Sequence, residues 1–133
     1  MIKKLLGIVV LGLLLSGNAY SKIIILKKCS LGQEYEKWNY KINTISNEII
    51  EVRILSEKYL EKLKKEKKYD PKISVSNFFL IYYEPPYAKG SRSFETQGEN
   101  RTSEIDINLN DKTIINTFIY SDGSKFSSTI RCK

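Results

Sequence analysis

Four glutamates, Glu84, Glu95, Glu99 and Glu104, are the residues whose type and spacing best suit catalysis in this sequence. Two carboxylates facing each other across a cleft, about 5–10 Å apart, are the machinery of glycoside hydrolysis, one acting as general acid and the other as base or nucleophile. Glu84 adjoins an aromatic run, so Glu84 with one of the other three is the candidate pair for a carboxylate-dependent hydrolase. Most other catalytic chemistry is closed to the chain. It contains no histidine, which removes Ser-His-Asp and Cys-His nucleophile systems and the common zinc sites. It has no glycine-rich phosphate loop. Two cysteines, Cys29 and Cys132, with no histidine and no third cysteine beside them, do not make a metal centre. No catalytic residue, metal or cofactor is assigned, and a non-enzymatic binding or protein-interaction role is the leading expectation.

Two groups of residues suit binding. Phe78, Phe79, Tyr82, Tyr83 and Tyr87 cluster around Pro85-Pro86, and Tyr35, Trp38 and Tyr40 form a second aromatic group. Such residues line apolar ligand pockets or stack on sugars and bases; they are also good strand formers and core filler. Tyr83 and Tyr87, at and beyond the end of a strand, are the candidate contact residues. The second group is SEKYLEKLKKEKK, Ser56 to Lys68, with six lysines against three glutamates. Lys62, Lys64, Lys65, Lys67 and Lys68 make it a candidate contact for an anionic envelope surface such as lipid, lipopolysaccharide or another polyanion. The alternative is a solvated helix face carrying Glu61–Lys65 and Lys62–Glu66 pairs. The lysines are not interleaved with the aromatics and no ribonucleoprotein-type motif is present, which argues against nucleic acid. The partner is otherwise undefined: another envelope protein or an anionic surface.

The compartment follows from the start of the chain, MIKKLLGIVVLGLLLSGNAYSK. Lys3 and Lys4 precede an apolar run from Leu5 to Leu15, and small polar residues follow to Ser21. That order is the layout of a secretory signal peptide; the run falls short of the roughly 20 apolar residues a bilayer needs. Cleavage before Lys22 or before Tyr20 satisfies the small-x-small rule. The first cut makes residues 1–21 a signal peptide and 22–133 a single domain, periplasmic or secreted. Removing Lys3 and Lys4 leaves 20 basic residues against 15 acidic ones, a net charge of about +5. In an oxidising compartment a small domain with two cysteines is most simply closed by a Cys29–Cys132 disulfide, with a free thiol or an intermolecular bridge as the alternatives.

The elements that must position these residues are mostly strands. Ile23 to Lys28 is short and apolar. Trp38, Tyr40 and Ile42 alternate with polar residues, Glu48 to Leu55 follows a turn, and Ile73 to Tyr83 is the strongest strand signal. Ile73, Val75, Phe79, Ile81 and Tyr83 share one face of that run, and its other face is also apolar from Phe78, so it reads as central and covered on both sides. Ala88 to Arg101 reads as a polar connection with an edge strand at Arg92 to Thr96. Ile105 to Leu109, Thr113 to Tyr120 and Lys125 to Cys132 complete the set, the last two joined at Asp122-Gly123. One helix is expected at about 56–68, with Ser56 as N-cap, Leu55 and Leu60 as a hydrophobic staple, and Asp70-Pro71 as the stop. The resulting fold class is α+β and mostly β: a twisted antiparallel sheet or partial barrel of about six strands with that helix packed on it. Residues 40–57 also align with residues 105–122, with six identical pairs, including Ile42/Ile107, Asn43/Asn108 and Ile49/Ile114. That echo is either a duplicated hairpin or two hairpins sharing a composition.

The Lys-Lys leader, Cys29 soon after the cleavage site, the hairpin IDINLNDKTIINTFIYSDG and the RCK ending together resemble small exported bacterial proteins of unassigned role. The resemblance implies a β-rich periplasmic or secreted domain and brings no catalytic residues with it.

Overall fold

The structure, a computed structural model, describes residues 22–32 and 35–133; the expected signal peptide, 1–21, lies outside them. Eight strands and one helix follow in order: β1 (Ile23–Cys29), β2 (Glu36–Asn43), β3 (Glu48–Leu55), α1 (Glu57–Lys65), β4 (Ile73–Glu84), β5 (Tyr87–Thr96), β6 (Glu99–Asn108), β7 (Thr113–Ile119) and β8 (Lys125–Arg131). The strands form one sheet in sequence order, every neighbouring pair antiparallel. The sheet curls into a half-barrel until its first and last strands touch. Ser30 and Arg131 exchange both backbone hydrogen bonds, at 2.9 and 3.0 Å, and the Cys29–Cys132 disulfide lies beside them. The expected bond is therefore present and closes the seam.

The count is eight strands rather than about six. The main departure is the β5–β6 hairpin: a polar connection with only a short edge strand at Arg92–Thr96 was expected, whereas β5 runs Tyr87–Thr96 and β6 begins at Glu99. Thr96 pairs with Glu99, and Gln97 and Gly98 between them both have positive φ, 53° and 76°. Two such residues make the tight turn whose twist matches that of the flanking strands. The hairpin hides in the sequence because its inner row near the turn is polar and aromatic, not aliphatic. The β2–β3 and β6–β7 turns are built alike. The Asn43 side-chain oxygen accepts from the amides of Ile45 and Ser46, and that of Asn108 from the amides of Asn110 and Asp111. Each turn closes with a residue in the left-handed region, Asn47 or Lys112. The echo read in the sequence thus has a structural counterpart, down to the buried, directly opposed pairs Ile42–Ile49 and Ile107–Ile114.

One face of the sheet, the inner one, holds the core: Leu26, Cys29, Trp38, Tyr40, Ile42, Ile49, Phe78, Leu80, Ala88, Ile105, Ile107, Ile114 and Ile130. Gly90 is set where three of these converge. A Cβ there would lie 2.9 Å from Ile49 Cδ1, 3.1 Å from Phe78 Cβ and 3.3 Å from Ile105 Cγ1, so only glycine lets β5 approach so closely. The outer face of β4 is open. Val75 and Phe79 are 63% and 68% exposed, and Ile73 and Ile81 are exposed with them; β4 is therefore not covered on both sides. The helix runs Glu57–Lys65, shorter than expected, and does not lie across that face. Ser56 caps it by accepting from the Tyr59 amide, and of its residues only Leu63 is buried. Lys67, in the left-handed region at φ 54°, lets the Lys68 amide turn back to the Leu63 carbonyl and end the helix.

Candidate functional site

The site begins with a fault in β4. The pairing of β4 with β5 shifts by one residue between Leu80 and Tyr82. Such a bulge bends the strand and swaps the faces of the residues beyond it. Tyr83 therefore stands opposite Ala88 and packs against the core, off the face that carries Ile73 and Val75. Ile81 and Tyr82 are left exposed. The β2–β3 turn leans against the same stretch: the Asn47 carbonyl accepts from the Leu80 amide at 2.9 Å. Between them lies a groove of about 650 Å³, walled by Leu80 to Pro85 on one side and by Thr44 and Asn47 on the other, with Lys22 at its edge. Two tyrosines, two aliphatic side chains, one carboxylate and one ammonium are a typical small-ligand lining, apolar with a few polar anchors.

The sequence-derived candidates divide between the two ends of β4. Tyr83 lines the groove. Tyr87 does not; it sits across the Pro85-Pro86 turn, paired with Glu84, and is 53% exposed. The five lysines lie at the other end, on and just after α1. Lys62 stands 5.4 Å from the centre of the Tyr35 ring, which itself packs on Tyr59 at 5.5 Å. Lys68 pairs with Glu66 at 3.6 Å, both largely exposed, and Lys64, Lys65 and Lys67 point to solvent. The expected Glu61–Lys65 and Lys62–Glu66 pairs are not formed among the described residues. The four glutamates do not converge either. Glu84 ends β4, Glu95 and Glu99 flank the β5–β6 turn at the opposite end, and Glu104 binds Lys89 at 3.5 Å. Asp106, then Glu104, hold the Lys89 ammonium in its charged form and raise its pKa.

The inner face carries a second set of polar residues that the sequence reading did not single out. Past the aliphatic layer, the inward positions become Glu51 and Arg53 on β3, Arg92 on β5, Arg101 and Ser103 on β6, and Asn116 on β7. The buried Tyr40 hydroxyl donates to Glu51 Oε2 at 2.7 Å. Burial, reinforced by the neighbouring carboxylate, pushes the Tyr40 phenol far above its ordinary pKa, so it is always the donor. Burial raises the Glu51 pKa; the Tyr40 hydrogen bond and the charges of Arg92 and Arg53 oppose that shift. Arg53 is fixed by Glu36 at 2.7 Å and Asp70 at 3.1 Å, and the Glu36 hydrogen bond is the main reason its pKa is raised. The signal was present in EIIEVRIL, Glu48 to Leu55, but ambiguous. Ile50, Val52 and Ile54 look like the buried row, whereas register puts Ile49, Glu51, Arg53 and Leu55 inside. No family model, curated protein or solved structure matches this chain.

Proposed function

We propose that this chain is a non-catalytic binding domain of the periplasm or the secreted space, and that its contact surface is the tyrosine-lined groove beside the β4 bulge. The observation that carries the reading is the groove itself: about 650 Å³ between the bulge and the β2–β3 turn, with Tyr82 and Tyr83 in its wall. The leader-like start and the disulfide support a place outside the cytoplasm, since such bonds persist in oxidising compartments; no described helix is long and apolar enough to cross a membrane. The lack of histidine and the scattered glutamates support binding over turnover. The test is native mass spectrometry of protein gently isolated from its own compartment, followed by amide-shift mapping of any retained molecule. The reading expects a bound species whose shifts cluster at Thr44–Asn47 and Leu80–Glu84 and are lost in Tyr82→Ala. Reproducible turnover of a polymer substrate, or binding mapped wholly elsewhere, rejects it.

A second reading is attachment to an anionic envelope surface through the α1 lysines. The observation favouring it is that Lys64 and Lys65 are exposed and make no ion pair among the described residues. Reversing the charge of Lys62, Lys64, Lys65, Lys67 and Lys68 should abolish binding to anionic vesicles at low salt, where screening is weakest. Unchanged binding dismisses the idea.

A further inference from the structure

We infer a second ligand site at the polar end of the inner face, where Arg92 and Arg101, flanked by Phe94 and Tyr120, receive the oxyanion group of a small ligand whose apolar body lies against those rings. The site does not depend on the groove reading, since it lies at the other end of the strands and uses none of the groove residues.

Register brings the two arginines together. Arg92 is paired with Ser103, and Arg101 with Phe94. Arg92 and Arg101 are therefore diagonal neighbours on one face, about 7–8 Å apart at the backbone. Both guanidinium groups are already oriented by rings. Arg92 lies 4.6 Å from the Phe94 ring centre and 5.8 Å from that of Phe78, and Arg101 lies 5.0 Å from that of Tyr120. A guanidinium held against an aromatic ring still has N–H donors to offer an oxyanion, and its planar fork suits bidentate recognition.

Neither arginine is fully matched by acceptors among the described residues. Arg92 makes no ion pair among the described residues. Arg101 Nε is buried without an acceptor, and its Nη2 approaches Glu99 only to 3.9 Å. Of the other carboxylates on this face, Glu36 is held by Arg53, and Glu51 accepts from the Tyr40 hydroxyl while feeling the Arg92 charge without a direct ion pair to it. An arginine placed only to support the fold would be expected to find its acceptor in the chain, because a buried N–H left unpaired is unfavourable. The floor is a closed polar contact, Ser103 Oγ donating to Asn116 Oδ1 at 3.1 Å, both residues buried. β4 and β5 are paired only between Phe79–Ser91 and Glu84–Tyr87; from Arg92 onward β5 pairs with β6 alone, so the backbone beside the arginines is not closed by a β4–β5 ladder.

The test is an NMR titration of the oxidised domain with benzoate, phenyl phosphate, inorganic phosphate and neutral benzamide, following arginine Nε–H and backbone amide signals. The inference expects saturable shifts at Arg92, Arg101, Phe94 and Ser103 with an aryl anion and none with benzamide. Comparing benzoate with phenyl phosphate tells which oxyanion is preferred, and inorganic phosphate tells how much the ring adds. Arg92→Met and Arg101→Met should each weaken binding about tenfold or more, while Ile81→Glu in the groove leaves it unchanged. If a methionine variant fails to fold, phenylglyoxal modification of the unaltered protein decides: benzoate should protect Arg92 and Arg101 but not the exposed Arg131. Absence of saturable shifts with every anion, equal binding of benzamide, or no selective protection overturns the inference.

Discussion

Replacing Tyr40 by Phe isolates the hydrogen bond on which the polar half of the interior rests. The substitution keeps the ring, which is 1% exposed, and deletes only the hydroxyl that donates to Glu51. What is lost depends on the charge of Glu51. With the carboxylate ionised the bond is charge-assisted, and removing it should cost about 2–3 kcal/mol; with the carboxyl neutral the loss should be about 1 kcal/mol. The pH dependence follows from the raised pKa of Glu51. Below the ordinary glutamate value, about 4.3, folded and unfolded chains both carry the proton and Glu51 contributes no pH dependence. As pH rises through the window up to the raised folded value, the unfolded chain has released its proton while the folded chain still holds it, so stability falls; above the window it levels off. Without the hydroxyl, one of the influences lowering the Glu51 pKa is gone. The window then extends upward and the neutral-pH loss deepens, limited by protonation of Glu51 itself. Urea unfolding of wild type and Tyr40→Phe at about pH 7 and about pH 3.5 reads the two losses directly. The larger loss should be at pH 7. Equal losses at both, or a larger loss in acid, would refute the reasoning that Glu51 is a buried carboxylate held ionised in part by Tyr40.

Three further outcomes are expected. Gly90→Ala should lower stability by about 1–3 kcal/mol, read as a fall in thermal midpoint, because its Cβ would press on Ile49 and Phe78 in a packed core; an unchanged midpoint would mean that β4 and β5 can separate freely. Lys67→Gly should raise stability by about 1 kcal/mol, since only the left-handed backbone at the helix end is relieved; a loss in urea unfolding would mean that the lysine side chain has a structural role there. Replacing both Cys29 and Cys132 by Ala opens a loop with a sequence separation of 103, for which chain entropy gives about 4.7 kcal/mol. That is close to the lower end of the 5–15 kcal/mol typical of a whole domain. The double variant should therefore be largely unfolded near body temperature by circular dichroism, and a fully cooperative native-like melt would contradict the importance of the seam.

The fold was legible wherever one row of a strand is aliphatic and the other polar. Trp38, Tyr40 and Ile42 do face inward as their alternation implies, as do Ile105 and Ile107. Legibility failed in three places, each for a physical reason. β3 has two plausible rows, and the more apolar one, Ile50, Val52 and Ile54, faces outward against its neighbours on β4, with Val52 opposite Val75 and Ile54 opposite Ile73. Alternation reports a strand's period but not which face is buried when both carry apolar residues. β5 has almost no aliphatic inner row, because Gly90 and Arg92 stand where side chains of the core type were sought. The bulge at Leu80–Tyr82 moves Tyr83 to the inner face, and a one-residue slip leaves no mark in composition. The candidate residues fared accordingly. Tyr83, expected at the end of its strand, lines a groove; of the lysines expected on one helix face, Lys62, Lys64 and Lys65 are helical, while Lys67 and Lys68 lie just beyond the helix; the Arg92–Arg101 pair has no signal in the sequence. Two arginines nine positions apart become neighbours only when a hairpin turn at Gln97-Gly98 folds one strand back on the other.

The curled sheet is closed where its first and last strands meet, and the proposed function places that domain outside the cytoplasm. The most direct test is the intact mass of the protein isolated from its natural compartment without reducing agent, measured before and after reduction and alkylation. The expected result is a chain beginning at Lys22 or Tyr20, lighter by two hydrogens than its reduced form, taking up two alkyl groups only after reduction, with Cys29 and Cys132 in one cross-linked peptide pair. A chain that still begins at Met1, or one that alkylates at both cysteines without reduction, would contradict it.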